Sequence, residues 1–325
     1  MSDEFGFAVK PLNVGAEIVG LDLTRPFAEH TRAALYSAWL DYGILLFRNT
    51  NATQEQHLAL SRCFGELEMH PIPEIRVKEQ PLLIELGGTK RGRAYIYDEK
   101  DMRIGVLPWH RDTAYTVECS KGAILRLVDV PPEGGETMFS DTANAYDGLP
   151  EALRKRIDTL EYKATLRIGP LAQSGPGSFW KSVRVPTEKE LPNNLPEHHR
   201  TDEQSLARYP SVILPAVITH PESGRKCIFP SPSYVDEFLG LSKSESEALL
   251  WELTNHMTDG KYVYVHKWAL GDMILWDNRR FMHAAAGYHP RYTRRAFRTT
   301  LAGSLKVGRY HDKQPELSQL APIND

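Results

Sequence analysis

The sequence predicts a mainly β fold, a sandwich or barrel core with a few helices packed outside it. Strand-like runs are many and short, rich in Val, Ile, Tyr and Phe, and bounded by Gly, Pro, Asn or Asp. Helical segments are few. No repeat, linker or low-complexity stretch divides the 325 residues, so a single domain over 1–325 is expected.

The strand-like runs are Gly15 to Leu23, Tyr42 to Arg48, Pro81 to Leu86, Ala123 to Val128, Thr137 to Phe139, Val212 to Thr219, Tyr262 to Trp268, Met273 to Trp276 and Ala296 to Ala302. Glu29 to Leu40 carries apolar residues at helical spacing. Thr53 to Phe64 and Ser242 to Met257 each open with a capping-box pattern, Thr53/Gln56 and Ser242/Glu245, and Pro150 to Leu160 is a fourth helix with Pro150 in its first turn. The stretch 169–209 differs, with repeated Gly, Pro, Ser and Asn and the polar run LPNNLPEHHRTDEQ. It reads as a long excursion of the lid or binding-loop kind.

Bulk composition excludes several functions. With 39 basic against 42 acidic side chains the net charge is −3, and no basic run points to nucleic acid. No apolar stretch approaches the roughly 20 residues that span a bilayer, and the opening MSDEFGFAVK lacks the parts of a signal peptide, so no membrane partner and a cytoplasmic location are expected. Cys63, Cys119 and Cys227 are odd in number and far apart, which argues against a disulfide framework or a thiolate zinc site. Assembly as a homo-oligomer stays open.

The chemistry begins at Leu107-Pro108-Trp109-His110-Arg111-Asp112. In an extended segment, residues two apart face one side, so His110 and Asp112 present an imidazole beside a carboxylate. Alone, such a pair is ordinarily two polar residues facing water. A third ligand lies downstream, where the run Gly271 to Trp276 ends in a polar turn and His283 follows. Two histidines and one carboxylate leave positions open on a metal, the arrangement suited to non-haem Fe(II). Arg294 and Arg298 follow on a strand-like run; being four apart, both guanidiniums are expected to face one cavity, and Arg suits bidentate capture of carboxylates. Asp277 and Asn278 read as turn formers. Tyr95, Tyr97, Tyr115, Phe179 and Trp180 are candidate pocket aromatics.

The motifs IVGLDLTRP, FGELEMHP, WHRD, PPEGGETMFSD, THPESGRK and WDNRRFMH, in that order and followed by Arg294 and Arg298, resemble the taurine dioxygenase family of Fe(II)/2-oxoglutarate-dependent oxygenases over most of the chain. The resemblance implies a double-stranded β-helix, or jelly roll, with flanking helices. It implies that His110, Asp112 and His283 bind iron, and that Thr137 and Arg294 hold the distal carboxylate of 2-oxoglutarate. It also implies that His70 and Arg298 lie near an anionic group of the substrate. The implied reaction consumes O₂ and 2-oxoglutarate and hydroxylates a small organic anion, with bond cleavage where the new hydroxyl sits beside a heteroatom. Asp112 argues against the related halogenases, which need that ligand position empty. Where taurine-specific members carry a tyrosine and an asparagine this chain has Pro73 and Val106, so a substrate more apolar than taurine is expected. Two other readings remain at this point: a zinc hydrolase built on the same ligands, and a catalytically silent jelly-roll binding module.

Overall fold

The computed structural model describes residues 6–70, 75–88, 94–166, 180–187, 189–191, 209–303 and 305–312. Most of the 169–209 excursion, with Pro73 and Phe179, lies outside them. Two sheets form a jelly-roll core. The larger runs in the order Ala8–Pro11, Ala16–Val19, Ile44–Phe47, Met273–Asp277, Gly122–Asp129, Arg295–Leu301, Gln80–Gly87 and Arg76–Val77, with Leu67–Glu68 also paired to Arg295–Leu301. The second has the order Val183–Arg184, Tyr95–Tyr97, Asp101–His110, Phe281–Tyr288, Thr137–Asp141 and Val263–His266.

The two-residue period of the strands decides what each face meets. Ile44, Leu46, Ile274 and Trp276 of the larger sheet point inward and share a core with Phe139 and Phe281 of the second. Their alternates Leu45, Phe47, Met273 and Leu275 point outward and are covered by Leu35 and Trp39 of the helix Glu29–Tyr42 and Leu60 of Gln54–Ser61. Strands buried on both faces read as continuous apolar runs, which is why YGILLFR and DMILW stand out in the sequence.

Both capping boxes form: Thr53 with Gln56, and Ser242 with Glu245 at the head of Lys243–Met257. Glu29–Tyr42 ends on Gly43 at φ 72°, a left-handed position where a Cβ would stand 2.3 Å from the Phe281 ring. Pro150 stands at the N-cap of Glu151–Ile157, outside the first turn where it was expected, and makes no side-chain cap hydrogen bond. The expected strand Val212 to Thr219 is two, Val212–Pro215 and Val217–Thr219, which join different sheets. Among the described residues no helix is long and apolar enough to cross a membrane.

Candidate functional site

Asp101–His110 and Phe281–Tyr288 pair antiparallel with His110 directly opposite His283, so both imidazoles leave one face of the second sheet. Their ring centroids are 4.2 Å apart. Asp112 follows just past the strand end. Its Oδ1 is 3.9 Å from His110 Nε2 and its Oδ2 is 3.7 Å from His283 Nε2. One ligand atom from each of the three lies within 4.8 Å of the other two, the only such metal-competent cluster among the described residues.

The surroundings prepare these groups for a cation. His110 Nδ1 lies 2.7 Å from the Pro108 carbonyl, which can only accept, so Nδ1 carries the proton and Nε2 turns its lone pair toward Asp112. Burial pushes both histidines below the ordinary imidazole value, which favours the neutral, ligating form. Burial raises Asp112, but Arg298, His283 and His110 outweigh it and pull the carboxyl down to about 2. Trp276, with its ring centroid 4.9 Å away, and Phe139, nearly parallel at 6.1 Å, wall His283 on its apolar side.

Two residues hold the ligand loop. Arg111, between the ligands, points the other way into the core. There its guanidinium donates to the carbonyls of Phe229, Ile228 and Asn278 and to the Thr142 hydroxyl. Asn278 grips Asp112 by its backbone, its Oδ1 accepting from the Asp112 N–H and its Nδ2 donating to the Asp112 carbonyl, both at 2.9 Å. Neither role is visible in the sequence. Alternation placed Arg111 opposite the ligands, but nothing local shows that Asn278 folds back on Asp112.

A cavity of about 520 Å³ opens on the cluster and is lined by His70, His110, Asp112 and Arg298 together with Glu68 and Tyr115. Arg298 grips both Asp112 oxygens, at 3.3 and 2.7 Å, and lies 5.4 Å over the Trp276 ring. Of the candidate aromatics Tyr115 lines this cavity, alongside Tyr209, Tyr234 and Tyr310, which the sequence did not single out. Tyr95, Tyr97 and Trp180 instead form a separate cluster that also holds Val106.

Arg294 departs from the expectation of one shared cavity. The strand begins at Arg295, and a register shift between Leu127 and Asp129 interrupts the partner strand there, so alternation does not carry from Arg298 back to Arg294. Arg294 lies instead against the Gly134-Gly135 turn, where a Cβ on Gly135 (φ 76°) would stand 3.3 Å from its Cδ. Its Nε is buried without a hydrogen-bond partner, and no ion pair reaches its guanidinium among the described residues. Burial lowers it to about 10. Thr137, two residues past that turn, accepts from Trp268 Nε1 at 2.9 Å, which leaves its own hydroxyl hydrogen to donate.

The profile of the family described as taurine catabolism dioxygenase TauD, TfdA matches residues 8–300. The chain belongs to this family. Among TauD, TfdA relatives, the (S)-phenoxypropionate/alpha-ketoglutarate-dioxygenase of Sphingobium herbicidovorans is 29% identical over 310 residues, covering 93% of this chain and 96% of that protein. The alpha-ketoglutarate-dependent sulfate ester dioxygenase of Pseudomonas putida is 28% identical over 299 residues, covering 91% of this chain and 88% of that protein. The crystal structure of a taurine dioxygenase from Burkholderia xenovorans matches with a TM-score of 0.72 at 26% identity, over 98% of each chain.

Proposed function

We propose that this TauD, TfdA family member is an Fe(II)- and 2-oxoglutarate-dependent dioxygenase that hydroxylates a small organic anion whose body is more apolar than taurine. The observation that carries this reading is the complete two-histidine, one-carboxylate cluster, together with Arg294, whose Nε is buried without a hydrogen-bond partner and whose guanidinium meets no anion among the described residues. An unpaired buried cation is costly and is kept where a ligand completes it. The relatives' names speak of phenoxypropionate and sulfate esters, anions with apolar bodies.

The residues fit the cofactors. His110 Nε2, His283 Nε2 and an Asp112 oxygen would hold Fe(II), a donor set suited to that ion. Arg294 would bind the distal carboxylate of 2-oxoglutarate, with Thr137 donating to it. Bound iron supplies the oxidising chemistry, coupling 2-oxoglutarate decarboxylation to substrate hydroxylation with O₂. Arg298, with His70 on the same cavity, orients the substrate's anionic head, while the tyrosine walls exclude water from the reacting carbon.

A zinc hydrolase would find a base in Glu68 but leaves Arg294 without a role, and a silent binding module predicts a gap in the ligand set, which is complete. The test is succinate release against sulfonates, sulfate esters, aryloxy acids, phosphonates and amino acids. Turnover confined to acids with an apolar body supports the reading. Taurine as the best substrate, or no succinate with any, contradicts it.

A further inference from the structure

The cavity contains a carboxylate for which the reaction above has no use. Glu68 sits in the short strand Leu67–Glu68, where it pairs with Thr300 of Arg295–Leu301. Thr300 and Arg298 are two apart and share a face, so Glu68 stands on the same wall, diagonal to Arg298. All three line the cavity that holds His110 and Asp112. Arg298 gives its hydrogen bonds to Asp112 and none to Glu68. The Glu68 carboxylate accepts no hydrogen bond and closes no ion pair among the described residues. Burial raises it first; of the charges it feels, Arg298 favours its ionised form and Glu118 and Asp112 oppose it.

A half-buried carboxylate on the cavity wall, diagonal to Arg298, is placed to accept from a donor that a ligand brings. A simple monoanion brings no such donor, and its head on Arg298 sets a second negative charge close to Glu68. A zwitterion brings one. We propose that Arg298 and Glu68 form a two-point head-group site for an amino acid with a large apolar side chain, the carboxylate on Arg298 and the amine on Glu68. The two side chains lie diagonal to one another on neighbouring strands and feel each other's charge, so one head group carrying both a carboxylate and an amine can address both. An ammonium donating to an ionised carboxylate is a charge-assisted bond, stronger than a neutral one. The apolar side chain then meets Tyr115, which stands edge-on to Tyr209 at 5.2 Å and to Tyr234 at 5.0 Å between ring centroids. Glu68 thereby sets this chain's preference apart from the phenoxy acids and sulfate esters of its relatives' names.

This assignment rests on the dioxygenase reading, and the experiment separates the two. Protein loaded with Fe(II) and 2-oxoglutarate without O₂ is titrated calorimetrically with L-phenylalanine and L-leucine and with their deaminated analogues, 3-phenylpropanoate and 4-methylpentanoate. Succinate release in air is then measured for all four. Wild type should bind each amino acid about 30-fold more tightly than its analogue, about 2 kcal/mol. Glu68→Gln, which keeps the volume, should bring that ratio below about 3 while 2-oxoglutarate binding stays unchanged, which also shows the variant folded. Glu68→Asp, which keeps the charge on a shorter stem, should retain part of the preference. Analogues that bind as tightly as the amino acids, or a ratio untouched by Glu68→Gln, overturn the two-point site while leaving the dioxygenase standing. Failure of 2-oxoglutarate to bind at all overturns both.

Discussion

Replacing Arg294 by Met removes the guanidinium while keeping most of its apolar stem, and the structure predicts opposite effects with and without 2-oxoglutarate. Burial lowers Arg294 from 12.5 to about 10. At about 1.4 kcal/mol per pKa unit that is roughly 3 kcal/mol of uncompensated cost. Both the folded value and the unfolded one lie well above neutrality, so the cost is present throughout the neutral range. Without 2-oxoglutarate, Arg294→Met should therefore raise Tm, by about 2 to 6 °C. With 2-oxoglutarate the sign reverses, because losing one partner of a buried charged pair costs roughly 2 to 5 kcal/mol, or about 30-fold to several thousand-fold in Kd. The assay is thermal unfolding of Fe(II)-loaded protein without O₂, with and without 2-oxoglutarate, beside calorimetric Kd values. A variant that keeps its 2-oxoglutarate affinity would show that Arg294 does not bind the co-substrate, and one that loses several degrees of Tm in its absence would show that the guanidinium carries no uncompensated cost. A variant that keeps 2-oxoglutarate and loses the substrate would show that Arg294 and Arg298 exchange roles.

Asn278→Ala removes the clamp on the Asp112 backbone and should weaken Fe(II) binding by about 10- to 100-fold, read by metal titration of the apoprotein. His57, buried against Ile124 and Thr299, is lowered by burial and by Arg126 to about 3. Because the unfolded chain takes up that proton first, His57 alone should remove about 1.4 kcal/mol of stability per pH unit as pH falls from about 6.5 toward 3. Urea unfolding across that range should show a shallower slope for His57→Gln. For the substrate, kcat/KM for an acid with a large apolar body should exceed that for taurine by two or more orders of magnitude, at about 0.8 kcal/mol per buried CH₂, and Arg298→Leu should abolish turnover of both. A neutral compound turned over equally by wild type and Arg298→Leu would contradict the role given to Arg298.

Much of this was legible because it is local. Ile44–Phe47 and Met273–Asp277 are buried on both faces and read as continuous apolar runs, and the capping boxes announce their helices. Phe281–Tyr288 was not legible as a strand, although it carries His283, because Ala284, Ala285, Ala286 and Gly287 have little β preference and are held extended by their partners. Asp101–His110 was obscured by Gly105 and Pro108 in its interior, both poor strand formers, yet Pro108 supplies the carbonyl that orients His110. The ligands themselves could be read because a His-x-Asp pair shares a face in any extended segment. The clamp by Asn278 and the cavity position of Glu68 could not, since each depends on a register between segments more than a hundred residues apart.

That His110, Asp112 and His283 hold an iron coupling 2-oxoglutarate to oxidation is tested by metal-dependent succinate formation. Apoprotein is supplied in turn with Fe(II) and Zn(II), together with 2-oxoglutarate, O₂ and the substrate panel, and the same is done for Asp112→Ala. Wild type should form succinate with Fe(II) and none with Zn(II), and Asp112→Ala should lose at least about 100-fold of that activity, the loss of a metal ligand exceeding that of its outer partners. Activity with Zn(II), or an Asp112→Ala variant that turns over like wild type, would contradict it.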